Sequence, residues 1–228
     1  MKSRLVNPFV LLLAVSSLLV GCATTERVTV IDPVQVQMAS TPYAGKRIPV
    51  SIGKFQNQSS FHRGIFSDGV DHLGNQAKTI LIAHLNQSGR FGVMDRDNMA
   101  ESQQEAKIKN QVQSIKGADF LITGDITEFG RKEVGDQQLF GILGRGKEQI
   151  SYAKVTLNIV NANTSEVVYS AQGAGEYALS NRELIGFGST SSYDSTLNGK
   201  VLDLALRQAV DNLARCVDNG ALVGVSGK

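Results

Sequence analysis

The sequence predicts an α/β fold, more closely an α+β sandwich in which helices pack on a mostly antiparallel sheet. Segments with an apolar residue at every second position alternate with segments whose apolar residues recur at helical spacing. A hairpin pattern around a turn at 161–165 is followed by a strongly amphipathic helix near the end of the chain. With 228 residues, of which 42% are hydrophobic and 19% charged, the chain has the composition of one globular domain with appendages.

Each element is predicted from its own apolar pattern. Ile48, Val50 and Ile52 fall on one face of the first strand, and the last helix carries a continuous apolar side. The second helix has only a thin apolar stripe, and Asp97 is its expected N-cap. In chain order we expect a strand at 47–53, a helix from 67 to 88, a strand at 91–94, a polar helix from 97 to about 113, strands at 120–129, 153–159 and 167–171, and a helix that includes 202–216.

The N-terminus has the pattern of an export signal. Lys2 and Arg4 precede an apolar stretch at 9–20, which is too short for a permanent membrane-spanning helix. Small residues then lead directly into Cys22, as in the lipobox of bacterial lipoproteins, and Ala23 follows. The sequence therefore predicts lipidation of Cys22, whereas the alternative is a secretory leader that happens to end near a cysteine.

This pattern divides the chain into three parts. Residues 1–21 are the expected signal peptide, 22–45 an extended lipidated tether, and 46–228 the folded domain. Because the resemblance to lipoproteins implies export to the outer membrane when Asp does not follow the cysteine, we expect an outer-membrane protein on the periplasmic side, anchored through Cys22. Several acyl chains hold far more strongly than one, since each buried CH₂ contributes about 0.8 kcal/mol.

Charge and metal-ligand counts exclude several functions. The chain has 23 Lys and Arg against 21 Asp and Glu, and without the leader the counts become 21 and 21, so a nucleic-acid partner is not expected. His72 and His84 are three helical turns apart and His62 lies in a predicted loop, so no metal site is expected. Cys216 falls in a helical apolar pattern and is interpreted as a small buried hydrophobe. No cofactor is predicted.

Two stretches, 130–151 and 173–198, are too long for ordinary loops of a compact domain. The first contains Gly141, Gly146 and Lys147 at the spacing of a phosphate-binding loop. That motif needs a preceding buried strand, a Ser or Thr after the Lys, and a helix N-terminus. Here Glu148 and a predicted strand follow, so nucleotide binding is rejected.

The second stretch alternates apolar and polar residues as a hairpin of a transmembrane β-barrel does. Six of the eleven odd positions from 177 to 197 are apolar, and the even positions are mostly polar or glycine. The first stretch alternates poorly and has seven charged residues, so a polar surface loop is the alternative there. The candidate lipid-facing residues are Tyr177, Leu179, Ile185, Phe187, Tyr193 and Leu197.

The chain resembles the CsgG/HfaB family of curli-secretion lipoproteins. The resemblance rests on the segments 77–91, 118–129 (ADFLITGDITEF), 134–142 and 155–167 (VTLNIVNANTSEV), together with the lipobox. It implies an outer-membrane ring in which each subunit donates two β-hairpins to a shared barrel, here placed at 130–151 and 173–198. Unfolded amyloid subunits then leave the periplasm by diffusion, assisted by periplasmic accessory proteins. The resemblance also implies a channel constriction, for which Phe66 and Asp68 are the candidates.

Two other classes of function remain as alternatives. The same fold could be a lipid-anchored accessory protein of an envelope or exopolysaccharide export machine, without a pore of its own, and the charges of 130–151 favour this alternative. An enzyme is not expected, because the chain has no G-x-S-x-G or H-E-x-x-H motif. The expected partners are further copies of the chain, outer-membrane lipid and a secreted fibre subunit, with neither nucleotide nor nucleic acid.

Overall fold

A computed structural model describes residues 41–61, 69–137, 145–182 and 197–222, all within the compact unit of residues 35–228. The described residues form one five-stranded sheet with the strand order β2-β1-β3-β4-β5, and three helices. The strands are β1 (Ile48–Asn57), β2 (Phe91–Met94), β3 (Phe120–Gln137), β4 (Arg145–Asn161) and β5 (Val167–Arg182), and the helices are α1 (His72–Gln87), α2 (Met99–Ile108) and α3 (Leu197–Asp218).

The sheet is mixed, which corrects the expectation of a mostly antiparallel one. β1 pairs in parallel with both β2 and β3, while β3, β4 and β5 are antiparallel neighbours. The parallel half follows from the connections, because α1 joins β1 to β2 and α2 joins β2 to β3, and parallel strands require crossovers of this length. The antiparallel half follows from tight connections such as the turn at 161–166.

The parallel pairing gives the sheet two distinct ends. The base is the end where β1 begins, and it includes Phe91, Phe120 and the β4–β5 turn. At the opposite end β1 stops at Asn57, whereas β3, β4 and β5 continue. The strand order and register therefore place the long antiparallel strands beyond the end of β1.

Helices α1 and α3 cover one face of the sheet. Asp71 caps α1, since its Oδ1 accepts a hydrogen bond of 2.8 Å from the Gly74 N–H. His84 of α1 is buried, and its Nε2 lies 2.8 Å from Asp203 Oδ1 of α3. The core between these helices and the sheet includes Leu81, Leu85, Ile122, Val155, Leu157, Leu202, Leu206 and Leu213.

Several element bounds differ from the prediction. β3 was expected to end at 129 and β5 at 171, but both continue, because backbone pairing with β4 persists where the apolar alternation weakens. α2 ends at Ile108 rather than near 113, and Asn98 stands at its N-cap, so the expected cap at Asp97 is wrong. β2 has the predicted bounds.

Candidate functional site

The most distinctive feature is a three-stranded ribbon that continues beyond the end of β1. We define it as residues 130–137 of β3, 145–152 of β4 and 176–182 of β5. β3 and β4 pair without interruption from Gly130↔Tyr152 to Gln137↔Arg145, and β5 pairs with β4 as far as Gly146↔Arg182. Eight paired residues at about 3.3 Å each give a ribbon roughly 26 Å long.

Both outer strands of the ribbon present an edge that pairs with no other described strand. β1 accompanies β3 only as far as Asn57↔Ile126, with one further bond from the Gln58 N–H to the Ile126 carbonyl. β5 is the last strand of the sheet. Backbone N–H and C=O groups therefore line both sides of the ribbon, and such edges are templates for further strand pairing.

The edge of β5 is closed below the ribbon by side chains of α3. Gln208 Oε1 accepts a hydrogen bond of 2.7 Å from the Ala174 N–H, and Asn212 Nδ2 donates one of 2.9 Å to the Gln172 carbonyl. These bonds satisfy outward-facing backbone groups that an added strand would otherwise use. The unpaired part of this edge therefore begins above Ala174, where the ribbon begins.

Two glycines of β5 allow α3 to lie directly on the strand. A Cβ at residue 173 would be 2.5 Å from the Ala209 backbone N, and one at residue 175 would be 2.7 Å from the Val201 carbonyl O. No side chain fits at those distances, so Gly173 and Gly175 are required by close approach of the helix. This contact fixes the first turns of α3 beside the base of the ribbon.

Polar contacts join the base of the ribbon to the first turn of α3. Arg131 donates from Nε (3.0 Å) and Nη2 (2.7 Å) to Asn198 Oδ1. The Lys200 ammonium lies 5.2 Å from the centre of the Tyr177 ring, within the range of a cation–π interaction. Arg131 is paired in register with the fully buried Ser151, which in turn pairs with Tyr177. Arg131, Ser151 and Tyr177 therefore form a row across the three strands, and contacts at both ends of this row attach it to α3.

The ends of the segment 62–68 are anchored at the same place. The Asn57 N–H donates to Asp71 Oδ2 (2.7 Å) and the Asn57 side-chain amide donates to the Phe61 carbonyl (2.8 Å). The Phe61 ring lies 4.7 Å from the Phe129 ring, where β3 leaves the core. The loop after β1 and the ribbon therefore start from one shared position, which we call the collar: Asn57, Phe61, Asp71, Phe129, Arg131, Ser151, Tyr177, Asn198 and Lys200.

The structure describes only some of the residues singled out from the sequence. Leu179 lies in β5. Tyr177 is half-buried against the core and α3, which differs from the expected lipid-facing position. Leu197 is the first residue of α3 and not part of a hairpin, and the next residue, Asn198, accepts hydrogen bonds from Arg131. Outside the described residues lie Cys22, Phe66, Asp68, Ile185, Phe187 and Tyr193.

A buried arginine at the base of the sheet was missed by the sequence analysis. Arg90 donates from Nε (3.2 Å) and Nη2 (3.0 Å) to the Asp218 carboxylate at the end of α3. Its Nη1 donates to the carbonyls of Thr41 (2.9 Å) and Ser88 (2.7 Å), and it lies over the Tyr43 ring. The described end of the tether is therefore bound to both long helices through one side chain.

The described residues offer little reactive chemistry. Cys216 is buried as predicted, and burial raises the pKa of its thiol, so the nucleophilic thiolate is disfavoured. Lys147, from the rejected phosphate-loop motif, lies inside β4. Within the described ranges no three His, Cys, Asp or Glu residues are grouped to hold a metal ion, and no helix there is long and apolar enough to cross a membrane.

The chain is similar to known proteins in sequence. A family model described as "Curli production assembly/transport component CsgG" matches residues 33–221. The predicted lipoprotein NMB1126/NMB1164 of Neisseria meningitidis serogroup B is 61% identical over 218 residues, which cover 96% of this chain and 97% of that protein.

Two solved structures are similar to this chain at a much lower level. A PelC dodecamer from Paraburkholderia phytofirmans has a TM-score of 0.37 at 15% identity, with coverage of 75% of this chain and 90% of that chain. Lipoprotein GNA1162 from Neisseria meningitidis has a TM-score of 0.35 at 12% identity, with coverage of 75% and 99%. Such identities do not identify a shared function.

Proposed function

Since the chain belongs to the CsgG family, whose model describes a curli production assembly/transport component, we propose that it is a subunit of an outer-membrane secretion channel. Copies of the acylated chain form a ring, and each copy contributes hairpins to a shared transmembrane β-barrel. Unfolded, curli-like fibre subunits leave the periplasm through this barrel by diffusion, and periplasmic accessory proteins deliver them. The observation that carries the proposal is the ribbon, whose two edges pair with no other described strand.

The length of the ribbon supports a membrane location. Beyond the collar row at Arg131, six paired residues of β3 continue for roughly 20 Å, which covers most of the apolar band of an outer-membrane barrel, about 25 Å tall. A tilted membrane strand needs about 9 to 11 residues. The six paired residues of β3 beyond the collar and residues 138–144, which follow them in the sequence, are together enough to supply that number.

The unpaired edges make self-association a requirement of this proposal. In hydrocarbon each unsatisfied backbone group costs several kcal/mol, so a single ribbon cannot insert alone. In a closed ring these edges become paired, because the β3 edge of one ribbon adjoins the β5 edge of the next ribbon. We assign residues 183–196 to the completion of that β5 edge. The hydrogen bond from the Ala174 N–H to Gln208 occupies the β5 edge below the ribbon. A strand of a neighbouring copy is therefore directed to the part of β5 above this bond, where pairing within the membrane is needed.

Lipidation of Cys22 places the ring at the membrane. The lipobox of this chain and the close relative predicted to be a lipoprotein both support an acyl anchor. Thr41 is bound to Arg90 at the base of the sheet, and it lies 19 positions after Cys22. A fully extended segment of that length reaches at most about 65 Å, which is ample to extend from the base past the domain to the bilayer surface.

The loop after β1 is proposed to narrow the channel. The described residues on either side of it are anchored in the collar, which supports a role for Phe66 and Asp68 at the channel entrance. A ring of Asp68 carboxylates makes such a constriction favour cations. Replacement Asp68→Asn is expected to reduce the preference for cations over anions without preventing assembly.

A lipid-anchored accessory protein of an envelope or exopolysaccharide export machine is the second candidate. It is favoured by the seven charged residues of the stretch 130–151, which are costly on a lipid-facing surface. In that role the ribbon binds a partner protein and no pore exists. Neither candidate is an enzyme, and neither needs a cofactor.

Single-channel recording tests the proposal. The purified, acylated protein is reconstituted into planar bilayers, and stable conductance steps are expected at nanomolar to micromolar protein. If the protein associates with the bilayer through its acyl chains but passes no ions, the channel is excluded and the accessory role replaces it.

A matched pair of variants locates the membrane hairpin. Phe187→Arg is expected to lower the yield of conducting rings, because Arg on the lipid face costs about 2 to 4 kcal/mol per subunit near the midplane. Thr190→Arg, at an even position expected to face the lumen, should assemble normally and alter only conductance. Equal behaviour of the two variants would contradict a lipid-facing Phe187.

A further inference from the structure

The segment between β2 and β3 presents an apolar surface that no other described part of the chain covers. We call residues 99–116 the arm; it consists of α2 and the segment after it. No residue of α2 is buried. Ile108, Val112 and Ile115 are 65%, 97% and 52% exposed, and the other exposed large aliphatic residues of the described chain, Val70 and Val167, lie singly. Three such residues within eight positions indicate a contact surface.

The arm is held in place at both ends. Asp95 organises the turn before it, accepting from the backbone N–H of Asp97 (2.9 Å) and from the Asn98 side chain (2.7 Å). Asp97 also pairs with Lys78 of α1 at 2.5 Å. At the other end Arg96 donates to the Lys116 carbonyl (2.7 Å). The exposed aliphatic residues therefore belong to a preformed surface, which binds at lower entropic cost than a mobile segment.

The order of the strands indicates what covers this surface. The arm follows β2, one edge strand of the sheet, whereas β5 and α3 form the opposite edge. In a ring with a shared barrel, each subunit meets its neighbours through two different sides, so one edge of a copy adjoins the other edge of the next. The arm then faces β5 and α3 of a neighbouring copy.

That opposite edge carries a suitable cleft. It lies between β5 and α3 and is lined by Ala174, Gly175, Glu176, Leu204, Arg207 and Arg215, among others. Ala174, Gly175 and Leu204 form the apolar part of a lining that is otherwise polar. Its charges are mixed, since Glu176 lies on β5 and Arg207, Asp211 and Arg215 lie along α3.

The arm also carries charges of both signs. Glu101 and Glu105 lie near its start and Lys107, Lys109 and Lys116 follow them, so its acidic part can pair with Arg207 and Arg215 and its basic part with Glu176 and Asp211. The arm has 18 residues, close to the 20 or so that each side of a standard interface contributes. We propose that the arm of one copy binds in the β5–α3 cleft of the next copy. This inference rests on the ring proposed above and assigns its periplasmic contact.

Disulfide crosslinking of the full-length acylated protein tests the contact. In the double variant Val112→Cys with Arg207→Cys, oxidation should produce a ladder of covalent oligomers up to the full ring. Each single variant should give no ladder, and a mixture of the two single variants should give dimers only, because the contact is between unlike surfaces. The native Cys216 is buried and does not interfere.

The control is Val167→Cys with Arg207→Cys, which places the first cysteine at an exposed aliphatic residue outside the arm. It should give no ladder. The mass of the uncrosslinked oligomer is measured in parallel. A ring without the Val112–Arg207 ladder overturns the inference and leaves the channel proposal standing, whereas a monomer overturns both. Dimers formed by Val112→Cys alone would show an arm-to-arm contact and also overturn the inference.

Val112→Glu provides a second measurement that does not depend on cysteine chemistry. Because Val112 is almost fully exposed, the variant should retain the far-ultraviolet circular dichroism of the parent. Its ring should dissociate at a detergent dilution at which the parent ring is intact, with a dissociation constant at least about tenfold higher. An unchanged dissociation constant would contradict the proposed contact.

Discussion

Replacement of Gly173 by alanine tests how α3 is held on β5. The new Cβ would lie 2.5 Å from the Ala209 backbone N and would overlap the Ala205 carbonyl O. Ordinary contacts of a Cβ begin near 3.4 Å, so relieving the overlap with the Ala205 carbonyl O moves the helix away by more than about 1 Å. Both opposing atoms belong to the backbone, and no side chain can rotate to relieve the overlap. The displacement therefore involves α3 as a whole.

The cost follows from the buried face of α3. A gap of 0.5 to 1 Å forfeits roughly a quarter to a half of the van der Waals attraction. Leu202, Leu206 and Leu213 are fully buried along that face. Overpacking of a core typically costs about 1 to 3 kcal/mol, and we expect about 3 kcal/mol because the clash is between backbones. For a domain of this size that is a fall in Tm of roughly 6 to 12 °C.

Urea and thermal unfolding of the mature chain carrying Cys22→Ser measure the effect. Gly117→Ala is the matched control, since a Cβ there meets no atom within 4 Å and its φ is not in the left-handed region. That control should be neutral or up to about 1 kcal/mol more stable. If Gly173→Ala unfolds within about 0.5 kcal/mol of the control, the close approach of α3 to β5 is wrong.

Three further predictions concern single side chains. Arg90→Met should lower the free energy of unfolding by about 3 kcal/mol. This is the lower end of the range for breaking a buried ion pair, because Asp218 is partly exposed. Calorimetry of the variant measures the loss, and a loss below about 1 kcal/mol would contradict the prediction. The Cys216 thiol, whose pKa is raised by burial, should react with a thiol reagent at neutral pH only after urea unfolding, so rapid reaction of the native chain would count against the structure. The hydrogen bond from the Asn98 side chain holds the pKa of Asp95 below its usual range. The turn before the arm is therefore stabilised at pH values above the unfolded pKa of this carboxyl, and it loosens as the pH falls through the folded pKa. Hydrogen exchange of the Asn98 amide should accelerate in that pH range, and an exchange rate without this acceleration would contradict the role of Asp95 in the turn.

The sequence predicted elements well where one face is buried. β2 was predicted to the residue, and the core stripe of α3 was found from its helical spacing. The parallel pairing of β1 with β3 was missed, although the strand–helix–strand order argues for it. Strand extension to Gln137 and Arg182 was also missed as regular structure, because register with β4 and not apolar alternation maintains it.

The candidate site was predicted in outline only. Length alone singled out 130–151 and 173–198 as excursions, and all of the ribbon except Tyr152 lies within them. Gly173 and Gly175 had a readable signal, since two glycines separated by one residue opposite an alanine-rich helix face suggest close packing. Arg90 had none, because an arginine after Gly89 at the end of a helix is indistinguishable from an ordinary turn residue until Asp218 is brought beside it.

Electron cryomicroscopy of the acylated protein extracted from outer membranes tests the central claim most directly. The account predicts closed rings in which the ribbon of every copy lies within the detergent belt and the arm of each copy contacts the next. Single copies, or assemblies whose ribbons lie in water outside the belt, would contradict it.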